Sequence, residues 1–235
     1  KEIKETIKRI VRYSDPNPNK ETIFIWPEGI FAGIYLEDLK KFSNIFNKSF
    51  SKKHLLIFGI NTQDNSSDEF YNSLIVSNNN LEVLYKYDKK KLVPFGEFIP
   101  FNDLSEKFGL KKITQGYGSF SKGNKQKNFL FDDLNILPLI CYEIIFPKLT
   151  QFSDKKTNMI VNISEDAWFG NSIGPHQHFT KAIFRSIENN TYLARSANKG
   201  ISAFINNNGQ TIKRLEPHET GNIELDVPLI NNNLK

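Results

Sequence analysis

Short apolar runs alternate with amphipathic stretches along most of this chain, and this alternation limits the folds that it can adopt. The runs TIFI (22–25), HLLIFGI (54–60) and NILPLI (135–140) have the length and composition of buried strands. The first stretch, KEIKETIKRIVRY, instead repeats isoleucine at helical spacing. Buried strands that alternate with such helices predict a layered α/β sandwich with its helices on the outside.

Other local patterns predict further elements of this sandwich. The stretch LEDLKKFSNIF (36–46) is typical of one helix, and the asparagines at 78–80 predict a turn between two strands. The stretch 191–215 predicts a hairpin that turns at the Asn-Asn-Gly of 207–209. Since no repeat or linker interrupts the pattern, we expect one domain over residues 1–235.

The stretch from Pro94 to Asn128 departs from this pattern. It shows little periodicity but holds many aromatic residues, namely Phe95, Phe98, Phe101, Phe108, Tyr117 and Phe120. Connections of this length are usually functional or disordered. Because disordered segments are poor in aromatic residues, we expect this one to be functional.

The charge balance bears on the kind of partner. The net charge is +5 at pH 7, and the basic residues form only short clusters such as 52–53 and 89–91. Nucleic-acid-binding domains usually carry a denser basic stripe on a recognisable module, so we expect no nucleic-acid partner. A mild attraction to an anionic membrane surface fits this balance. No run reaches the roughly 18 apolar residues of a membrane span.

Three reactive side chains follow three separate apolar runs. Glu28 comes just after TIFIWP, Lys89 ends the strand after the asparagine turn, and Cys141, the only cysteine, follows NILPLI. In open α/β sheets the ligand site lies beyond the carboxyl ends of the strands. If the three strands are parallel neighbours, we expect the three side chains to converge there.

Such a set of groups suits nucleophilic catalysis. A free thiol has a pKa of about 8.5 and needs a base at neutral pH. A carboxylate whose pKa is raised by burial can take the thiol proton, and an ammonium with a backbone N–H can stabilise the resulting oxyanion. We therefore assign Glu28 as base, Cys141 as nucleophile and Lys89 as part of the oxyanion site.

Each of these residues also has a plain structural explanation. A single cysteine on an apolar strand is commonly a core residue. A lysine in YDKKKL is commonly a solvated charge, and a glutamate after WP can cap a helix. Spacing alone leaves these alternatives open.

The motifs around the three residues resemble a known family. WPEG, YDKKKLVPFGEFIPF, ICYEIIFP and DAWFG followed by GPHQHF are together similar to the nitrilase, or carbon–nitrogen hydrolase, superfamily. More narrowly, LVPFGE and CYE resemble the extracytoplasmic domain of the apolipoprotein N-acyltransferase branch. The resemblance extends from about Thr22 to Leu215. It implies an αββα sandwich and a catalytic triad of Glu28, Lys89 and Cys141.

The resemblance also implies supporting residues. Glu97 of PFGE would orient the lysine or assist the base, and Glu143 would support the loop around the thiol by hydrogen bonding. Tyr142 follows the nucleophile in the same motif. The aromatic stretch with Phe95 and Phe98 would form a mobile arm that grips acyl chains and limits the access of water.

Two further motifs allow more than one role. Trp168 and Phe169 of DAWFG are expected to line the substrate site near the thiol, although core packing would explain them as well. His176 and His178 could suggest a metal, but zinc sites need three or four ligands and no third accompanies them. We expect no metal, and we expect the histidines to pack at a helix N-terminus or to line the site.

The reaction that the resemblance implies is a two-step acyl transfer. Cys141 would take an acyl chain from a phospholipid as a thioester. The α-amine of an S-diacylglyceryl-cysteine at an apolipoprotein N-terminus would then attack that thioester. No metal or organic cofactor is implied. The implied location is a bacterial inner membrane, with this domain on the periplasmic side.

The chain departs from the family pattern, and rival interpretations follow. The branch flanks this domain with membrane helices and begins it with one more strand, and we expect this chain to be a fragment that lacks both. Glu165 stands where asparagine is frequent in the family, and Lys91 replaces a common histidine.

The lack of membrane helices favours a soluble amidase that hydrolyses a small amide. A third interpretation is an inactive remnant that only binds a partner or lipid.

Overall fold

The computed structural model of the protein describes residues 2–64, 66–98, 119–124, 127–151 and 157–229. Within these ranges two β-sheets pack face to face, and helices cover the outer face of each sheet. The expected αββα sandwich is therefore confirmed.

The first sheet has four strands in the order β1-β2-β3-β4. They are β1 (Thr22–Ile25), β2 (His54–Asp64), β3 (Glu69–Ser77) and β4 (Val83–Asp88). β1 is parallel to β2, whereas β3 is antiparallel to both β2 and β4. Strands β1, β2 and β4 therefore run in one direction and end at the same end of the sheet.

The second sheet has the order β10-β9-β8-β7-β6-β5. Its strands are β5 (Phe129–Phe131), β6 (Leu134–Ile140), β7 (Met159–Glu165), β8 (Tyr192–Asn198), β9 (Ser202–Ile205) and β10 (Thr211–Leu215). Strands β6, β7 and β8 form a parallel centre with antiparallel strands on either side. The prediction of a two-stranded hairpin over 191–215 was incomplete. The stretch forms three antiparallel strands, of which the last two are joined by the expected turn.

Five helices lie among the described residues. They are α1 (Glu2–Ser14), α2 (Leu36–Lys40), α3 (Ser43–Ser49), α4 (Lys148–Gln151) and α5 (Gly174–Glu188). The prediction of a single helix over 36–46 was wrong, because the stretch forms two short helices, α2 and α3. They are separated at Phe42, which leaves the helical conformation (φ −103°, ψ 11°) and packs against the core. None of the helices in the described ranges has the length and apolar character of a membrane span.

Alternate residues of the central strands fill different layers of the core. On β2, Leu56 and Phe58 pack with the helices of the first sheet, whereas Leu55 and Ile57 pack against the second sheet. This division follows from the two-residue period of a strand. Because both faces of the sheets are covered at their centres, central strands such as β2 and β6 are nearly continuous apolar runs. Cys141 lies at the margin of the layer between the sheets.

Candidate active site

The three side chains predicted to be catalytic meet at one end of the sandwich, but they come from two sheets. Glu28 follows β1 and Lys89 follows β4, which lie at opposite edges of the first sheet, and Cys141 follows β6 of the second. The assumption of three parallel neighbouring strands was therefore wrong. The residues converge because β1 and β4 run in the same direction and because the two sheets pack face to face.

Lys89 is enclosed between two carboxylates. Its Nζ lies 3.2 Å from Glu28 Oε1 and 3.0 Å from Glu97 Oε1, and its side chain is 1% exposed. Burial acts to lower the pKa of Lys89, but the charges of the two glutamates outweigh it and raise that pKa above its ordinary value. Lys89 is thus a fixed, buried ammonium and not a solvated charge.

Asn72 on β3 joins the two glutamates. Its Nδ2 donates to Glu28 Oε1 at 2.6 Å and to Glu97 Oε1 at 2.8 Å. The backbone N–H of Lys89 donates to the carbonyl oxygen of Asn72 at 2.9 Å, and that of Val93 donates to Glu97 Oε2 at 2.8 Å. Asn72 was not predicted as a site residue. The available signal was an asparagine in the middle of a buried strand.

A glycine on β2 allows Glu28 to reach these partners. A Cβ atom at Gly59 would lie 2.9 Å from the Cα of Glu28, closer than such atoms approach in proteins. The missing side chain therefore lets the Glu28 backbone lie directly against β2. From there its carboxylate reaches Asn72 on β3 and Lys89 beyond β4.

Cys141 occupies a strained turn at the end of β6. Its φ of 47° lies in the left-handed region, which residues other than glycine seldom adopt, and a 3₁₀ turn over Cys141–Ile145 follows. The thiol is largely buried, with Sγ 4.0 Å from the carbonyl oxygen of Glu165. Burial and the charge of Glu28 raise the pKa of the thiol to about 12, whereas Lys89 acts in the opposite direction. The resting thiol is therefore protonated at neutral pH and needs a base.

Glu143 is buried beneath this turn and acts as an acceptor for several donors. Its Oε2 accepts the N–H of Ile140 at 2.8 Å, and its Oε1 accepts the N–H of Lys90 at 2.7 Å and the hydroxyl of Tyr87 at 2.9 Å. Burial raises the pKa of Glu143, and the backbone hydrogen bonds oppose that shift. One carboxylate thus ties the segment after β4 to the turn that holds the thiol.

A buried charged network contacts the backbone of Cys141. Asp166 Oδ2 lies 2.8 Å from Arg195 Nη2, and Asp166 Oδ1 accepts the hydroxyl of Ser164 at 2.7 Å. The imidazole of His178 has its Nδ1 2.9 Å from Asp166 Oδ1 and its Nε2 3.2 Å from the Cys141 carbonyl oxygen. Asp166 and Arg195 were not predicted as site residues. The signal that could have indicated this network was an arginine within the largely buried strand β8.

The aromatic residues expected to line the substrate site are largely exposed. Trp168 is 57% exposed and Phe169 is 38% exposed, so core packing does not explain them. The ring of Phe169 lies 5.5 Å from the imidazole of His178, which in turn contacts Cys141.

Some of the other residues expected at the site lie within the part of the chain that the structure describes. Phe95 is exposed, Phe98 is half-buried, and Tyr142 is half-buried with its ring edge-on to Phe146 at 5.0 Å. Phe120 also lies within the described part of the chain. The remaining aromatic residues of the expected arm, Phe101, Phe108 and Tyr117, lie outside the described residues.

Comparison with known proteins relates most of the chain to one family. Residues 18–230 match the carbon–nitrogen hydrolase family. The chain is 35% identical over 212 residues to an apolipoprotein N-acyltransferase of Rhizobium leguminosarum bv. trifolii, and 38% identical over 213 residues to one of Bradyrhizobium diazoefficiens. Each alignment covers 88% of this chain, and the chain spans 40% of the length of each of these relatives.

The fold is also similar to solved structures of lower sequence identity. Nit3 of Saccharomyces cerevisiae, a member of branch 10 of the nitrilase superfamily, superposes with a TM-score of 0.64 at 19% identity. The superposition covers 92% of this chain and 79% of Nit3. The structural likeness supports the fold, and the match over residues 18–230 shows that the chain belongs to the carbon–nitrogen hydrolase family.

Proposed function

We propose that this domain moves a fatty acyl chain from a phospholipid to the α-amine of an S-diacylglyceryl-cysteine at an apolipoprotein N-terminus, through a thioester on Cys141. The main support is geometric: the backbone of Glu165 contacts both Cys141 Sγ (4.0 Å) and Glu28 Oε2 (2.9 Å), and Glu28 Oε1 lies 3.2 Å from the Lys89 ammonium. The similarity to proteins named apolipoprotein N-acyltransferases supports the choice of substrates.

In the first step Glu28 accepts the thiol proton, and the thiolate attacks the carbonyl carbon of the phospholipid ester. The oxyanion is stabilised by the Lys89 ammonium and by the N–H of Tyr142, since the first amides of a helical turn lack intrahelical acceptors. The ester C–O bond breaks, and the lysophospholipid leaves with the proton from Glu28. The acyl chain stays on Cys141 as a thioester.

In the second step the amine of the acceptor attacks the thioester carbonyl. Glu28 accepts a proton from the attacking nitrogen, and the same donors stabilise the second oxyanion. The C–S bond then breaks to leave the amide product. The departing thiolate of Cys141 takes the proton back from Glu28, which restores the starting state without any metal or organic cofactor.

The supporting residues hold this arrangement in place. Glu97 keeps the Lys89 ammonium fixed between two carboxylates, and Glu143 joins the turn of the nucleophile to the end of β4. Both are buried, and both accept backbone N–H groups. We therefore assign them to the positioning of Lys89 and Cys141, together with Tyr142 as an oxyanion donor.

Aromatic side chains beside the site are suited to hold the acyl chain. Phe95, Trp168 and Phe169 are substantially exposed, and Phe98 is half-buried. Burial of apolar surface contributes about 25 cal/mol per Å², so contact with an acyl chain would favour binding. The same contact would exclude water, which competes with the amine for the thioester.

We place the reaction at a membrane surface because the acyl donor is a membrane lipid. By analogy with the family branch, this would be the periplasmic face of a bacterial inner membrane. The net charge of +5 favours contact with anionic headgroups.

The test is an incubation of the protein with phospholipid vesicles and a diacylglyceryl-cysteinyl peptide, in parallel with an incubation with simple amides. We expect N-acylated peptide and lysophospholipid in equal amounts, and neither product with Cys141→Ala. Release of ammonia from the amides without acyl transfer would identify an amidase instead. An unreactive Cys141 and the absence of both reactions would identify an inactive remnant.

A further inference from the structure

Glu165, at the end of β7, contacts both the base and the nucleophile through its backbone. Its N–H donates to Glu28 Oε2 at 2.9 Å, and its carbonyl oxygen lies 4.0 Å from Cys141 Sγ. The side chain of Glu165 is half-buried. The backbone of Glu165 therefore lies beside the reacting groups, and the two-step reaction described above makes no use of its carboxylate.

The carboxylate of Glu165 is held by neutral donors. Its Oε1 accepts the N–H of Ala167 at 3.0 Å, and its Oε2 accepts Nδ2 of Asn198 at 2.7 Å. No lysine, arginine or histidine of the described ranges forms an ion pair with it. An ionised carboxylate has about four acceptor sites, so both oxygens keep capacity for a further donor.

The cations near the site are already engaged elsewhere. Lys89 is shared between Glu28 and Glu97, and Arg195 is paired with Asp166. Burial raises the pKa of Glu165 although the hydrogen bonds from Asn198 and Ala167 oppose this shift, so its ionised form lacks a compensating cation. A positively charged group that entered the site would supply one.

The chain keeps space for this carboxylate next to the base. Gly29 follows Glu28 with a φ of 74°, and a Cβ atom there would lie 2.4 Å from Glu165 Oε2. A side chain at position 29 would therefore displace the carboxylate. Glu165 thus lies against the backbone of the residue after the base, where an attacking nucleophile must also come close.

We propose that the Glu165 carboxylate binds the ammonium group of the acyl acceptor and so makes the acyl-enzyme prefer a primary amine to water. This inference rests on the proposed function, since it concerns the second step of the same reaction. The bound ammonium passes one proton to Glu165, and the neutral amine attacks the thioester while Glu28 takes the next proton. After the C–S bond breaks, Cys141 recovers the proton of Glu28 and Glu165 releases its own to water.

The test compares two nucleophiles on one acyl-enzyme. The protein is acylated with 4-nitrophenyl butyrate at pH 6.5 and offered either an S-methylcysteinyl peptide amide, whose α-amine (pKa about 7.7 or less) is then largely cationic, or hydroxylamine, which is then mostly neutral. The ratio of aminolysis product to butyrate is measured for each, so that changes in acylation cancel. We expect Glu165→Gln to lower the ratio roughly tenfold for the peptide, as for the loss of one close charge pair. The ratio for hydroxylamine should change by less than about twofold.

A double variant controls for structure. In Glu165→Gln/Asn198→Asp the hydrogen-bonded pair is kept with donor and acceptor exchanged, and a carboxylate returns at the position of the Asn198 amide, whose nitrogen lies 2.7 Å from Glu165 Oε2. We expect it to recover most of the preference for the peptide. If the single variant does not fold, the peptide ratio of the double variant is the measurement that tests the role of the carboxylate. An unchanged peptide ratio in Glu165→Gln, or an equal loss for both nucleophiles, would overturn the inference. Butyrate release by the unsubstituted protein without any peptide acylation would overturn the proposed function as well.

Discussion

The amide of Asn72 donates to Glu28 at 2.6 Å, and the same nitrogen donates to Glu97 at 2.8 Å. A neutral side chain on β3 thus sets the spacing of the two carboxylates that enclose Lys89. It does so from a strand that contributes none of the three predicted catalytic residues. The orientation of the base therefore depends on the register of the first sheet.

Substitution of Asn72 should impair catalysis through the position of Glu28. Asn72→Ala removes a donor from two buried carboxylates and should destabilise the fold by about 1–3 kcal/mol. We expect acyl transfer to fall about 10- to 100-fold, because misplacement of a reacting group by about 1 Å has such an effect. Rates and urea unfolding would be measured beside Asn44→Ala, an exposed asparagine on α3. Equal rates for the two variants would contradict the role of Asn72.

Lys89 should be essential, whereas its neighbour should not be. Lys89→Met leaves two glutamates buried without a cation, which should lower stability by about 3–5 kcal/mol. Loss of an oxyanion donor should reduce the rate by at least about 10²-fold. Lys90→Met is the matched control, since the side chain of Lys90 makes no ion pair within the described ranges. A similar loss of acyl transfer in both variants would rule out the specific assignment of Lys89.

The reactivity of the thiol should depend steeply on pH. With a thiol pKa raised to about 12 by burial and by the charge of Glu28, the thiolate fraction should rise about tenfold per pH unit through pH 10. Alkylation of Cys141 by iodoacetamide, followed by mass spectrometry, reports that fraction. Because the charge of Glu28 raises this pKa, Glu28→Gln should lower it and speed alkylation at pH 9. A rate that is level above pH 8 in the unsubstituted protein would contradict the shift.

Asp166 should stabilise the fold most strongly at neutral pH. Burial acts to raise its pKa, but the charge of Arg195 and the hydrogen bonds of His178 and Ser164 lower it to about 2. The ionised form is therefore favoured in the folded state. Its contribution is complete above the ordinary pKa of 3.8 and is lost as the pH falls towards 2.

Removal of that charge gives a direct measurement. Asp166→Asn leaves Arg195 without its anion and should lower the free energy of unfolding by about 3–5 kcal/mol at pH 7. The difference from the unsubstituted protein should shrink as the pH falls towards 2. Urea unfolding would be compared with Asp133→Asn, an exposed residue. A deficit that is the same at pH 7 and pH 2.5 would show that the charge is not the cause.

The layered fold could be predicted because both faces of each sheet are covered. Residues such as Leu55 and Leu56 are both buried, on opposite sides of β2, and so produce the continuous apolar run that is visible in the sequence. The division into two sheets could not be predicted in this way. A buried strand has the same composition in either sheet, so nothing local distinguishes the neighbours of β1 from those of β6.

The candidate site shows a similar division. Glu28, Lys89 and Cys141 were found because each follows a strand and lies in a motif that resembles a family. Asn72 and Arg195 were missed because their partners are far away in the chain, across strands whose pairing was unknown. Each places a buried polar group in a largely buried strand. Such positions indicate a buried polar network but do not identify the residues that Asn72 or Arg195 contacts.

The most direct test of the account is whether a phospholipid acylates Cys141. The protein would be incubated with vesicles of a dioleoyl phospholipid, quenched with acid and analysed by intact and peptide mass spectrometry. We expect one oleoyl group on the peptide that contains Cys141, removable by neutral hydroxylamine. We also expect transfer of that group to a diacylglyceryl-cysteinyl peptide when the peptide is added. Acylated peptide that forms with Cys141→Ala, or forms while Cys141 is never modified, would rule out a thioester on Cys141 as the intermediate.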